Sequence, residues 1–401
     1  MGNIFFLCHG SYNQKNKIKK MKILHVITSL NNGGAENHLA ELASLQAKQN
    51  NSSINIVYLR GSDYWVKILK KKKISIKKIN IKNNYNLIAL LIGVYKIFNY
   101  IRRTKPEIVH AHLSLSEIII TFLKLTSILN FKMIISKHLD SFLFEGSRGQ
   151  NKYFNGVFFE KIIFKISDHV IFISKNVQLY FLSKIDIVAK KNSVIYYGID
   201  KKKFIYQNFS KNKKQKVNII KNKGEKLILN IARHVVQKKI DFLIKGFAEY
   251  LKIDKNSKLI LVGYGDETKN LKLLVKKLKI ENKIYWIDHT DFVFNLFKIA
   301  DVFCLTSKYE GLGLVLLESM ASKVPVITMN NSAMKEVVKN NFSGLLLSKN
   351  AKVKSLSVAL NKILNNKNFR KKIIKNGLTT LNKKFSTKKM LESTTNVYKN
   401  I

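Results

Sequence analysis

Two carboxylates, Glu310 and Glu318, bracket the run Glu310-Gly311-Leu312-Gly313-Leu314-Val315-Leu316-Leu317-Glu318. Gly311 and Gly313 permit close backbone approach to a ligand. Leu314 opens an apolar helix whose first amides and dipole suit a phosphate. Glu310 precedes that helix and Glu318 lies inside it, so the two acids can touch different parts of one elongated ligand. Sugar hydroxyls suit the outer carboxylate and a ribose diol the inner one. Glu318 falls in an apolar stretch, where a carboxylate needs a hydrogen-bonding partner to offset its desolvation. The plain alternative is a surface loop followed by a buried structural glutamate.

Arg233 and Lys238 follow a β-branched run and precede a helix, where two cations can neutralise a diphosphate. Gly263, in Gly263-Tyr264-Gly265, is another turn that allows backbone approach. Gly33, Gly34 and Glu36 stand in Asn32-Gly33-Gly34-Ala35-Glu36, a turn and helix start that could receive an anion or hydroxyl. That segment lacks the third glycine of a dinucleotide fingerprint, which disfavours NAD, and a tight turn alone would explain it equally well. His138 follows an apolar run and alone reads as readily structural as functional. No Asp-x-Asp pair, P-loop, nucleophile elbow or clustered set of histidine ligands is read from the chain, so no metal and no cofactor is expected.

These residues need elements to hold them. From Met21 onward, strand-like runs (Lys22–Thr28, Ile54–Leu59, Ile108–His112, Met133–Ser136, Val170–Ile173, Ser193–Tyr196) alternate with helical patterns such as Ala35–Gln49, Leu87–Arg103 and Lys152–Ile166. After a polar, aperiodic stretch the alternation restarts with Leu227–Ile231, Lys258–Val262, Lys283–Ile287, Val302–Leu305 and Val324–Thr328. Helical patterns between them include Ile240–Tyr250, Glu267–Lys279, Phe292–Ala300 and Leu314–Ala321. Such alternation predicts parallel strands with crossover helices, and ligands at the carboxyl ends of the strands. The expected organisation is an extension at 1–20, a first α/β domain at 21–200, a linker at 201–222, a second α/β domain at 223–380 and a terminal helix at 381–401, which the family resemblance described below implies crosses back to the first domain. Residues 1–20 are expected to lack order and to be dispensable, with Met21 as the natural start.

The chain has 401 residues and a formal charge of +47, but only six of its 72 basic residues are arginine. Lysine, isoleucine and asparagine share A/T-rich codons, so codon bias accounts for the charge better than a nucleic-acid partner, which would use the arginine fork. Attraction to an anionic membrane can still follow from it. Leu87–Tyr100 and Glu117–Phe131 are too short and too interrupted to span a bilayer and read as packed helices. Cys8 and Cys304 define neither a disulfide framework nor a zinc motif, which fits a reducing compartment.

Taken in order, the motifs resemble glycosyltransferase family 4. The pieces are Gly33-Gly34-Ala35-Glu36, Pro106-Glu107-Ile108-Val109-His110-Ala111-His112, His138, Gly198-Ile199-Asp200, Arg233 with Lys238, Gly263-Tyr264-Gly265, Glu310 to Glu318, and Pro325-Val326-Ile327 with Glu336 and Gly344. The resemblance implies the GT-B fold, an α/β architecture of two Rossmann-like, doubly wound domains facing across a cleft. It implies a retaining transferase that binds a nucleotide-sugar donor, expected to be a UDP-sugar, in the second domain. A glycan or lipid-linked acceptor would be held in the first, near the loop of Gly33, Gly34 and Glu36, in cell-surface polysaccharide synthesis. By the same resemblance Arg233 and Lys238 match the pair on the donor phosphates, with Gly263, Gly311, Leu312, Gly313 and Leu314 around the donor. Glu310 matches the acid on the transferred sugar, Glu318 the one on the ribose, and His138 a residue near the reacting sugar. A cytoplasmic protein, peripheral on the inner face of the membrane, is expected. Tyr197 replaces a usual asparagine and Lys323 a common glycine. A nucleotide-sugar epimerase or hydrolase of the same fold is the nearest alternative, and a basic nucleic-acid binder a distant one.

Overall fold

The structure is a computed structural model that describes residues 20–49, 51–81, 87–139, 153–185, 191–205, 221–288 and 293–401. The first half runs Met21–Ser29 (β1), Gly34–Lys48 (α1), Ser52–Arg60 (β2), Val66–Lys70 (α2), Ser75–Lys78 (β3), Leu87–Thr104 (α3), Ile108–His112 (β4), Ser114–Leu125 (α4), Lys132–Lys137 (β5), Tyr153–Ile166 (α5), His169–Phe172 (β6), Lys175–Leu182 (α6) and Asn192–Val194 (β7). A short helix, Lys201–Ile205 (α7), follows. The second half runs Lys226–Ile231 (β8), Ile240–Leu251 (α8), Ser257–Val262 (β9), Thr268–Lys277 (α9), Ile284–Ile287 (β10), Val293–Ile299 (α10), Val302–Leu305 (β11), Leu314–Ala321 (α11), Val326–Met329 (β12), Met334–Val337 (α12) and Leu345–Leu347 (β13). Val353–Asn365 (α13), Lys367–Lys384 (α14) and Thr387–Lys399 (α15) close the chain.

The strands form two sheets, ordered β3-β2-β1-β4-β5-β6-β7 and β10-β9-β8-β11-β12-β13. Every strand pair is parallel. Both are doubly wound, so each has a switch point where strand order reverses: β1 beside β4, and β8 beside β11. Parallel strands must be covered on both faces, and β1 shows how. Leu24 and Val26 join the core that contains Ile97 of α3 and Ile120 of α4. Ile23 and Ile27 join the opposite core with Leu39 of α1 and Met390, Leu391 and Tyr398 of α15.

The last helix therefore covers the first sheet, although it follows the second in sequence. The crossing is tight at Gly198, where a Cβ would lie 2.6 Å from the Thr387 Cα. Three features differ from the sequence reading. β3 and β13 were not predicted; both are short edge strands, and β3 (Ser-Ile-Lys-Lys) carries two lysines that mask a strand pattern. The stretch read as an aperiodic linker opens with α7, whose Phe204 packs edge-on to Phe294 at 4.7 Å. Residues 206–220 of that stretch and 1–19 of the expected extension lie outside the described residues. Lys323 has φ +61, the left-handed region in which glycine is favoured.

Candidate functional site

The loops leaving β8 and β11 lie side by side because those strands are neighbours at the switch point. They are laced together. Asn230 Nδ2 donates to the Cys304 carbonyl at 2.8 Å, Lys308 N to the Gln237 carbonyl at 2.7 Å, and Gln237 Nε2 to the Tyr309 carbonyl at 2.8 Å. Thr306 Oγ1 bonds the carbonyls of Lys238 and Lys239 at 3.1 and 3.0 Å, steadying Lys239 in its left-handed conformation, φ +47.

On this platform Glu310 is buried and its Oε1 accepts from Lys238 Nζ and from Ser307 Oγ, both at 2.6 Å. Sequence treated Glu310 and Lys238 as separate features; the structure makes them one ion pair. Arg233 is exposed at the mouth of the same loops, and no ion pair engages its guanidinium among the described residues. Gly263, with φ +135, approaches protein backbone closely: a Cβ there would collide with the Ala232 carbonyl. Its glycine thus shapes the segment that carries Arg233. Gly313, φ +82, caps α11 in the left-handed region, so the chain turns sharply into the helix a few residues after β11 ends at Leu305. Leu312 is buried beneath that turn and Leu314 is partly buried at the helix start.

Glu318 is partly buried on α11, and among the described residues nothing donates a hydrogen bond to its carboxylate. Desolvation pushes its carboxyl from 4.5 up to about 7. A raised folded-state value means the folded chain holds this proton more tightly. Its stabilising contribution is complete below pH 4.5 and is lost as pH rises through about 7. Replacing Glu318 by glutamine should flatten that part of the stability-against-pH curve of the unliganded protein. Denaturant unfolding at pH 5, 6, 7 and 8 checks it; parallel curves for wild type and variant would refute it.

The first sheet brings its own groups to the β1–β4 switch point. Glu36 is buried in the first turn of α1 and accepts from Ser29 Oγ at 2.6 Å. Gly33 has extended backbone, φ −136, and a Cβ there would press on the tip of the Glu36 side chain, which would have to shift. Nothing lies within 4 Å of a Cβ built on Gly34. The turn therefore needs no special dihedral, and what Gly34 supplies is open space.

His138 follows β5 and is buried. Its Nε2 meets His112 Nδ1 at 3.2 Å and its Nδ1 meets the Tyr197 hydroxyl. The network continues inward: His112 Nε2 to His25 Nδ1 at 3.1 Å, and His25 Nε2 to Gln46 Oε1 at 2.9 Å. The amide oxygen only accepts, so His25 carries its proton on Nε2. The same assignment then propagates through His112 and His138 to a donating Tyr197 hydroxyl. Desolvation holds these rings neutral, lowering His25 to about 4 and His138, with help from Lys137, to about 3. Both ring nitrogens of His138 are thus engaged within the protein in the unliganded chain, by His112 and by Tyr197.

His25, His110 and His112 also gather their ligand atoms within 4.8 Å of one another, a cluster hidden in the sequence because His25 lies on a different strand. All six ring nitrogens are used, those of His110 by Tyr398 and Ser136 at 2.7 and 2.8 Å. The donor set is thus saturated by protein hydrogen bonds.

The two halves of the site touch. A Cβ on Gly311 would collide with the carbonyl oxygen of His138 and lie 3.0 Å from Ile173 Cδ1, so only glycine lets the Glu310 loop seat against the first sheet. Two doubly wound sheets meeting at their switch points define the GT-B class. Residues 32–203 match the family described as Glycosyltransferase Family 4, and residues 211–380 match Glycosyl transferases group 1. The chain belongs to the family 4 glycosyltransferases and is a glycosyl-transferring enzyme.

An N-acetylgalactosaminyltransferase of Campylobacter jejuni is 27% identical over 366 residues, 89% of this chain and 92% of that enzyme; its name gives an undecaprenol-diphosphate-linked glycan as acceptor. An uncharacterised glycosyltransferase of Methanocaldococcus jannaschii is 30% identical over 58% of this chain and 60% of its own length. Among solved structures, Anabaena HepE in complex with UDP and glucose superposes with a TM-score of 0.79 at 18% identity, covering 95% of this chain and all of that one. A glycosyltransferase from Rickettsia africae gives 0.71 at 23% identity, covering 95% and 98%.

Proposed function

We propose that this enzyme is a retaining, metal-independent glycosyltransferase that moves a sugar from a UDP-sugar to a glycan or lipid-linked acceptor in cell-surface polysaccharide synthesis. The observation that carries the reading is the placement of Glu310, with Lys238 and Ser307, against His138 of the other sheet. The donor lies over the second sheet. Arg233 and the first amides of α11 hold its diphosphate, and Glu318 accepts from the ribose hydroxyls. Glu310 and Lys238 face the transferred sugar. The acceptor enters from the loop of Gly33, Gly34 and Glu36 and attacks from the face the diphosphate leaves. Arg233 and the helix amides stabilise the charge that develops on the leaving group, so neither a metal nor a cofactor is required. The UDP-bound HepE structure and the lipid-linked acceptor of the Campylobacter relative support the choice of partners.

Among the described residues no helix is long and apolar enough to cross a membrane. The charge of +47 supports peripheral attachment to the anionic inner face of the membrane, from the cytoplasm. Nucleic acid is not a partner in this reading.

A thermal-shift panel of UDP-, GDP- and ADP-sugars, followed by turnover of the stabilising donor before and after EDTA, tests the reading. Stabilisation by a UDP-sugar and turnover that survives EDTA are expected. A strict requirement for added Mn²⁺ or Mg²⁺ would overturn metal independence.

A further inference from the structure

Glu336 makes no bond to Glu310, Lys238 or Arg233 among the described residues, yet its carboxylate is used at both oxygens, and by the opposite sheet. Glu336 Oε2 accepts from Lys175 N at 3.0 Å and Oε1 from Asn176 N at 2.7 Å. Those are the first two amides of α6, which belongs to the first sheet; the third, Val177 N, donates to the cap residue Ser174 Oγ at 3.1 Å. The helix start is thereby saturated, with a carboxylate where its dipole favours negative charge. Tyr196, just after β7, donates its hydroxyl to Glu336 Oε2 at 2.8 Å. Lys384 of α14 donates to the Glu336 carbonyl at 2.8 Å, and its ammonium lies 4.6 Å from the centre of the Tyr196 ring. Glu336 thus joins the first sheet, the second sheet and the crossing segment at one point.

A second set of bonds leads from that point to Glu310. Asn176 Nδ2 donates to Ser332 Oγ at 3.1 Å. Ser332 Oγ donates to the Glu310 carbonyl at 2.7 Å and accepts from Glu310 N at 3.2 Å. One hydroxyl with one proton and two lone pairs is fully employed. Ser332 holds the left-handed conformation, φ +45, to do this.

We propose that Glu336, Asn176 and Ser332 are positioning residues: they tie the seating of α6 against the second sheet to the placement of the Glu310 backbone. In this arrangement the Glu310 loop is set for transfer only when the two sheets are docked, while the nucleotide end of the donor site, built from the second sheet alone, does not depend on it. The inference rests on the reading of Glu310 given above.

The test measures kcat, donor KM and UDP affinity by calorimetry for Glu336→Gln, Asn176→Ala and Ser332→Gly, with Glu310→Ala beside them. The donor is the one identified by the panel. Glycine tolerates the left-handed conformation, so Ser332→Gly removes the hydroxyl without straining the turn. Each variant should lose about ten-fold to a hundred-fold in kcat, the scale expected for a displaced catalytic group, with UDP affinity within about two-fold of wild type. Asn176→Ala combined with Ser332→Gly should cost no more than the larger single change, because both break one path. Unchanged kcat in the three variants, with Glu310→Ala inactive, overturns the positioning role and leaves the reading of Glu310 standing. UDP affinity falling in step with kcat also overturns it, because the change would then be a general loosening of the second sheet. If Glu310→Ala is itself active, the site reading falls and this inference with it.

Discussion

Replacing Glu310 by alanine should lower turnover by about 10²–10³, the loss typical of removing one preorganised polar group from a reaction centre. The group is held at one carboxylate oxygen and at its backbone: Lys238 and Ser307 both bond Oε1, and Ser332 bonds the Glu310 N–H and carbonyl. Such a group needs no reorganisation as charge develops on the sugar. Alanine leaves Lys238, only 13% exposed at its side chain, without a counter-ion, so some stability will be lost as well. Glutamine separates the two effects. It keeps the shape and the Ser307 contact and removes only the charge. If charge is what the reaction uses, Glu310→Gln should be nearly as slow as Glu310→Ala while melting closer to wild type. Single-turnover rates with parallel melting curves decide this. Turnover within a few-fold of wild type in folded Glu310→Ala protein would end the assignment.

Removing Arg233 should weaken UDP binding by about ten-fold to a hundred-fold, from about 1.5–3 kcal/mol per hydrogen bond to a charged group. Arg233 is the cation of the pair that no carboxylate neutralises among the described residues. Arg233→Lys should recover only part of the affinity, because an ammonium lacks the planar fork that grips a phosphate. Lys238 should behave differently. Its charge is already committed to Glu310 at 2.6 Å, so Lys238→Ala should cost less UDP affinity than Arg233→Ala and more turnover. Calorimetry with UDP on both variants, beside two alanine changes among the exposed lysines 70–73, tests the division of labour. Equal losses in site and control variants, for UDP and other nucleoside diphosphates, would refute a phosphate role.

Much of the site was legible because its signals are local. Gly311 and Gly313 announce backbone approach within a few residues of both carboxylates. The β-branched runs before Arg233 and Glu310 place them at strand ends. Helix α11 occupies the residues its apolar pattern marked, Leu314–Ala321. What the sequence concealed is pairing. Lys238 and Glu310 are 72 positions apart, and their ion pair exists because β8 and β11 are neighbours at a reversal of strand order. His25 and His112 are 87 apart and share a bond only through the β1–β4 pairing.

The sequence by itself determined the two series of alternating strands and helices, the glycines that open the ligand surfaces and the acids and cations at strand ends. Each is set by side-chain periodicity or backbone freedom over a few residues. Only the tertiary structure decided that the His138 ring is spent on His112 and Tyr197, and that Gly311 is forced by the carbonyl of His138. It alone showed that Glu336 caps a helix of the other sheet, and which residues of α15, the helix the family resemblance led one to expect over the first domain, pack beside β1. Those contacts depend on strand order and on how two separately folded sheets dock. Neither is encoded in any short window of residues, because the partners meet only after the chain has closed loops of up to hundreds of positions.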